Sequence, residues 1–155
     1  MAQSIFPAAS AASKTRYVVT LLSGTSWTVP AGCLYVNATL HGGGGGGCKS
    51  ESDGNYGGTG GESGRTVETL VTTTPGASIA YAIGAGGISN SGAGGSSGGN
   101  TTFTGATNAI GGAGAGYTYA NAASGGISQA DNGGKTSRAG GAAGGSGSIE
   151  LEYWL

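Results

Sequence analysis

Charge is scarce in this sequence: 8% of the 155 residues are Asp, Glu, Lys or Arg, and the formal net charge is −1 at pH 7. The six basic residues are scattered: Lys14, Arg16, Lys49, Arg65, Lys135 and Arg138. A protein that binds nucleic acid needs clustered basic side chains to neutralise phosphates. The composition therefore argues against a nucleic-acid partner.

Long apolar runs and cysteines are also few. The run Tyr17–Leu22 is interrupted by Thr20 and falls far short of the ~20 residues that a membrane helix needs. Residues 1–13 lack an early positive charge and a continuous apolar stretch, so no secretory signal is predicted. Cys33 and Cys48 are not accompanied by other residues at the spacing of metal ligands. We expect reduced thiols, with a disulfide between them as the alternative.

Glycine is what the sequence has in excess, at 37 residues. Together with the 3 prolines this content reaches the level at which aperiodic chains are usually disordered. Disordered chains, however, combine high net charge with few aromatic and β-branched residues. Here the charge is near neutral and those residues are clustered, which favours a folded chain.

The clusters have the pattern of β-strands. Arg16–Leu22 and Ser26–Pro30 flank a Ser-Gly-Thr turn signal and predict a hairpin. In Cys33–Leu40, the residues Leu34, Val36, Ala38 and Leu40 alternate with polar ones and predict a half-buried strand. Alternation predicts three more strands, at Arg65–Val71, Ser78–Gly84 and Ser148–Trp154.

Strands at both ends of the chain bracket the glycine-rich middle, so the sheet must join residues distant in sequence. We predict an all-β fold with a small β-sandwich-like core from strands at both chain ends. Residues 1–15 would form a flexible N-terminal attachment arm, and residues 16–155 a single glycine-rich β domain.

The glycine tracts have a possible ordered state of their own. Polyproline II helices have three residues per turn and no internal hydrogen bonds, so glycine tracts in this form can pair laterally through their backbones. We expect the glycine-rich loops to pack as polyglycine II helices, with loose loops as the alternative. Shifting glycine spacing excludes collagen.

Catalytic and cofactor motifs are weak. Residues 42–50 are one residue too long for a phosphate-binding P-loop, and the polar, glycine-rich sequence that follows has no helical period. His41 has no identifiable acid partner that would make it a base for Cys48, and a strand-end histidine is the better interpretation. We therefore expect no enzymatic activity, no cofactor and no metal site.

Three tyrosines are the best candidates for contact with a receptor: Tyr56, Tyr117 and Tyr119. Large amphipathic rings on loops that are otherwise poor in side chains could offer contact area to a sugar or a protein. Their alternative role is to fill gaps between glycine segments.

Five motifs occur in a characteristic order: Ser23–Gly32 (SGTSWTVPAG), Val36–Gly47 (VNATLHGGGGGG), Tyr81–Gly87 (YAIGAGG), Gly98–Gly116 and Gly144–Trp154 (GGSGSIELEYW). This set resembles the glycine-rich domain of many bacteriophage tail proteins, over nearly everything after Lys14. The resemblance implies a virion component on a tail fibre or tail tip that contacts the host surface.

What the resemblance implies about partners is correspondingly broad. Other tail or baseplate proteins and a bacterial surface glycan or outer-membrane protein are expected partners, and a homo-oligomer is expected, with a trimer suited to a fibre. A second hypothesis is an architectural virion protein, such as a tail cap or capsid decoration, that has no receptor contact. A silk-like or cell-wall protein is disfavoured because regular repeats are missing.

Overall fold

The computed structural model describes residues 14–49, 60–91, 94–116 and 142–155. In these residues the fold is all-β, without a helix. The strands are β1 (Arg16–Leu21), β2 (Ser26–Thr28), β3 (Tyr35–His41), β4 (Cys48–Lys49), β5 (Thr66–Thr72), β6 (Ser78–Ala82), β7 (Asn90–Ser91), β8 (Thr102–Phe103) and β9 (Ser148–Trp154). The all-β prediction is confirmed.

The larger sheet is antiparallel and has the strand order β1-β9-β3-β5. Its second strand is the last of the chain: β9 pairs with β1 on one side, where Arg16 lies opposite Trp154, and with β3 on the other, where His41 lies opposite Ser148. The sheet thus joins the two ends of the described chain, as the sequence pattern predicts.

A smaller antiparallel sheet, β2-β6-β8, packs against the larger one. Alternation explains the core, because successive side chains of a strand face opposite ways. Ile149, Leu151 and Tyr153 of β9 are buried while Glu150 is exposed. The smaller sheet contributes Trp27, whose ring lies 6.2 Å from that of Phe103 and 5.8 Å from that of Tyr153 between ring centroids. The result is the predicted sandwich.

The predicted hairpin of the first two strands is wrong. β1 pairs with β9, whereas β2 pairs with β6 in the other sheet. The turn between them crosses from one layer to the other: Gly24 has φ 101°, and the Tyr81 hydroxyl donates a 2.7 Å hydrogen bond to the carbonyl of Ser23. The apolar side chains of β1 and β2 therefore enter the core from opposite sides. In a hairpin both strands would belong to one sheet, and their side chains would enter from the same side.

The predicted burial of Leu34 is also wrong, since 57% of this residue is exposed. Strand alternation begins only at Tyr35, after a turn in which Gly32 has φ 83°. Cys33 takes the buried position instead, and its carbonyl accepts a 2.9 Å hydrogen bond from the buried Thr73 hydroxyl. Because of this turn, the alternation of buried and exposed residues in β3 does not extend back to residues 33 and 34.

Candidate functional site

Six tracts of the described chain, each rich in glycine, pack side by side beyond the sandwich. We call them the glycine bundle: residues 42–47, 60–65, 83–89, 94–100, 110–116 and 142–147. The central tract, residues 42–47, follows directly from β3 and consists entirely of buried glycine. The bundle is therefore an extension of the sandwich and not a set of separate loops.

The central tract donates its backbone N–H groups to three neighbouring tracts in rotation. The six hydrogen bonds, of 2.7–2.9 Å, run from Gly42 to Arg65, Gly43 to Gly99, Gly44 to Gly145, Gly45 to Glu62, Gly46 to Ser96 and Gly47 to Ala142. The central tract therefore donates a hydrogen bond to the same neighbouring tract at every third residue. Two further tracts donate to the central one: Gly112 and Ala115 to the carbonyls of Gly43 and Gly46, and Gly87 to that of Gly44.

The outer tracts are hydrogen-bonded to one another with the same interval. Residues 83–89 accept from Ser96 and Gly99 on one side and from Gly144 and Gly147 on the other. Residues 110–116 likewise accept from Gly95 and Gly98 and from Glu62 and Arg65. The central tract is thus enclosed by five others in the part of the chain that the structure describes.

An interval of three residues is the hydrogen-bond signature expected for packed polyproline II helices, which have three residues per turn. The polyglycine II conformation of the tracts stays a prediction, and the observed interval is the one it requires. Each lateral bond contributes only about 0.5–1.5 kcal/mol net, so the order of the bundle depends on many bonds acting together.

Glycine is required in the bundle because the backbones approach one another closely. A Cβ atom at Gly45 would lie 1.9 Å from the carbonyl oxygen of Ala113, and one at Gly86 would lie 1.8 Å from that of Gly144. These obstacles are backbone atoms, which cannot rotate away as a side chain would. The glycine content thus has a packing cause.

Thr101 connects the bundle to the sandwich. Its fully buried hydroxyl donates to the carbonyl of His41 (2.6 Å) and accepts from the N–H of Gly84 (2.9 Å). These are the points where the chain enters the central tract and leaves β6. Sequence reasoning missed this role, because Thr101–Phe103 is only a short interruption of the glycine-rich sequence and contains no recognisable motif.

We expect Thr101→Val to lower the free energy of unfolding by about 2–4 kcal/mol, because two buried backbone groups lose their partner while side-chain volume hardly changes. Urea titration followed by circular dichroism measures the change. Thr104→Val is the matched control: its hydroxyl bonds the carbonyl of Ala80 at 3.0 Å from an exposed position, so a loss below about 1 kcal/mol is expected. Equal losses in both variants would contradict the role assigned to Thr101.

The surface of the bundle carries few large side chains. Ile88 and Ile110 are more than half exposed. A groove of about 330 Å³ runs between two outer tracts and is lined by Glu62, Ser63, Arg65, Ile110, Gly111 and Gly112. It offers one carboxylate and one guanidinium, with no excess of either charge.

The described residues that border the three internal undescribed segments lie at one end of the bundle. Strand β4 pairs in parallel with β7, so that Lys49 lies beside Ser91, and Gly47 bonds Ala142. These residues border the segments 50–59, 92–93 and 117–141. Tyr56, Tyr117 and Tyr119 lie in two of these segments, outside the described residues.

The opposite end of the molecule is formed by the sandwich. There Thr15 and Leu155 exchange two backbone hydrogen bonds, of 2.8 and 3.0 Å. A cleft of about 140 Å³ lies beside them, lined by Lys14, Gly32, Leu34, Tyr35 and Trp154. The hydrogen bond and ion pair with Glu152 raise the pKa of the exposed Arg16 guanidinium, which is charged in any case.

Of the residues considered for catalysis or metal binding, the described chain includes His41, Cys33 and Cys48. His41 ends β3, as predicted, and its Nδ1 lies 2.9 Å from the hydroxyl of Thr66. Cys33 and Cys48 are both buried, and the structure has no disulfide between them. The described residues contain no cluster of three or more metal-ligating side chains. Within the same residues, no helix is long and apolar enough to cross a membrane.

The fold and the bundle together define a class of protein: an all-β sandwich from which a bundle of glycine tracts extends. The family model of a glycine-rich domain matches residues 20–152, which include both parts. The chain belongs to this glycine-rich domain family. A comparison with curated proteins finds no match.

Proposed function

We propose that the chain is a non-enzymatic structural protein of a bacteriophage particle, a component of the tail fibre or tail tip that takes part in attachment to the host surface. The assignment to a phage tail rests on the order of the sequence motifs, from Ser23–Gly32 to Gly144–Trp154. Membership of the glycine-rich domain family is compatible with this role.

The observation that supports the proposal is that the two ends of the molecule are formed by different parts of the chain. The borders of all three internal segments lie at one end of the bundle, whereas Lys14 and Leu155 lie at the far end of the sandwich. A protein anchored through residues 1–15 would then direct the segments that contain Tyr56, Tyr117 and Tyr119 away from its anchor. Tyrosine rings at such a position are suited to contact with a sugar or a protein.

In this role the partners are other tail or baseplate proteins on the anchored side, and a bacterial surface glycan or outer-membrane protein on the other. The protein would reside in the virion and act as a homo-oligomer. The low charge of the chain fits recognition through rings and hydrogen bonds better than electrostatic capture.

The test is the binding of fluorescently labelled protein to whole cells from a panel of bacterial strains. We expect saturable binding to at least one strain, and loss of that binding by about tenfold or more in a variant with Tyr56, Tyr117 and Tyr119 all replaced by alanine, as for aromatic anchors that contribute most of a contact. Tyr35→Ala is the matched control, because this ring is 56% exposed at the sandwich end and its removal should leave binding unchanged.

The same assay separates the two hypotheses drawn from the sequence. No binding to any strain by the folded protein would favour an architectural part of the particle, such as a tail cap or capsid decoration. Binding that persists in the triple variant would place the receptor contact elsewhere on the surface.

A further inference from the structure

Strand β1 forms one edge of the larger sheet, with β5 at the other. In the described residues no strand pairs with the outer edge of β1. An exposed strand edge is a template for pairing with another chain, and natural proteins protect such edges with charges, proline or covering segments. The two edges of this sheet differ in how they are protected.

The hydrogen-bond phase of β1 identifies the backbone groups that face outward. Thr15 and Leu155 exchange reciprocal hydrogen bonds, and in an antiparallel pair such positions alternate along the strand. Tyr17 and Val19 therefore bond to β9, while the N–H and C=O groups of Arg16, Val18 and Thr20 point away from the sheet.

Strand β1 exposes one large apolar side chain on each face. Tyr17 is 42% and Val18 46% exposed, although they point in opposite directions. The one charge of the strand, on Arg16, is paired with Glu152. Strand β5, by contrast, exposes mainly polar side chains, namely Thr66, Glu68 and Thr72 beside Leu70, and Thr69 at its edge accepts the N–H of Thr107. Of these two edge strands, β1 is the one in which two adjacent apolar side chains, Tyr17 and Val18, are both strongly exposed, one on each face.

We propose that β1 pairs antiparallel with β1 of a second copy, about a two-fold axis at Val18. The outward-facing residues 16, 18 and 20 are symmetric about Val18, so that Arg16 lies opposite Thr20 of the second copy and no like charges meet. On the inner face Tyr17 lies opposite Val19 of the second copy, which extends the apolar core across the junction. Such an interface uses the same surface on both copies and closes at a dimer.

This pairing does not depend on the virion role proposed above, and it differs from the trimer expected from the sequence. A two-fold contact joins the sandwich parts of two copies and leaves both bundles uncovered.

The first measurement is the mass of the full chain by sedimentation equilibrium at micromolar concentration, where we expect twice the chain mass of 14.6 kDa. Val18→Lys should raise the dimer dissociation constant by roughly 100-fold, because two ammonium groups would face each other across the axis. Leu70→Lys, a similar change at the 68% exposed position on the other edge strand, should leave it unchanged.

Disulfide trapping tests the register. The Cα atoms of the two Val18 residues should lie about 5.5 Å apart, as in a hydrogen-bonded antiparallel pair, a distance that a disulfide spans. Val18→Cys should therefore give a covalent dimer under mild oxidation. Thr20→Cys should not, because the two Thr20 residues would lie roughly 14 Å apart at 3.4 Å per residue.

Several outcomes would overturn the proposal. A monomer or a trimer at these concentrations would exclude the two-fold dimer, and equal trapping of both cysteine variants would exclude the register. A chain that is monomeric at full length and dimerises only without residues 1–13 would indicate that these residues cover β1 within one copy. Unchanged circular dichroism of each variant verifies that it is folded.

Discussion

Gly45→Ala is expected to lower the free energy of unfolding by about 3–5 kcal/mol, or to leave the glycine bundle unpaired. The new Cβ would lie 1.9 Å from the carbonyl oxygen of Ala113 and 2.5 Å from its carbonyl carbon. The clash can be removed only if the two tracts move apart. That movement would lengthen the backbone hydrogen bonds that Gly45 and its neighbours make.

Gly116→Ala is the matched control, because a Cβ at this position meets nothing within 4 Å. The same substitution should there change stability by less than about 1 kcal/mol, and it can even stabilise by restricting the unfolded chain. Urea unfolding of both variants, followed by intrinsic fluorescence and circular dichroism, gives the comparison. Equal effects would mean that the loss at Gly45 comes from general glycine propensity and not from packing.

Phe103→Ala is expected to cost about 3–5 kcal/mol, the usual loss for a large aromatic removed from a core. Phe103 is 1% exposed and lies in β8, where it packs beside Trp27. The cavity would open in the core beside Trp27, so we also expect Trp27 fluorescence to change in the folded state.

Leu70→Ala is the control for this substitution. It also removes a large apolar side chain, but from a position that is 68% exposed, and its effect should stay within about 0.5 kcal/mol. Thermal unfolding monitored by calorimetry would measure both. A small loss for Phe103→Ala would mean that the smaller sheet contributes little to the core.

Strands with strong alternation could be predicted from the sequence. β9 has the predicted bounds, Ser148–Trp154, and its buried and exposed faces are as expected. The pairing partners of the strands were harder to predict, because alternation identifies which face of a strand is buried but not which sheet the strand joins. The predicted hairpin failed for this reason: Gly24 permits a turn but does not specify its direction.

The glycine bundle could be predicted only in outline. The sequence indicates that the tracts can pair laterally, but glycine has no side chain to encode which tract lies beside which. Their arrangement follows from the strands that fix their ends: β3, β5, β6 and β9 position four of the six tracts. The role of Thr101, which contacts His41 and Gly84, could not be predicted, because threonine is a common residue in the polar, glycine-rich sequence around it.

The candidate receptor contacts stay a prediction, since Tyr56, Tyr117 and Tyr119 lie outside the described residues. The hydrogen bonds that hold the described bundle are mainly backbone bonds between residues of the six tracts. We therefore expect substitutions in residues 50–59 and 117–141, which lie outside these tracts, to leave the stability of the bundle nearly unchanged.

The central claim is that the glycine tracts form an ordered bundle and not loose loops. Hydrogen exchange of the backbone amides, measured by NMR on the native protein, tests it most directly, because local opening controls exchange. We predict that the amides of Gly43–Gly47 exchange within roughly tenfold of those in β3, which extends into the same tract. Exchange of these glycine amides at the rate of an unfolded peptide, while β3 stays protected, would contradict the account.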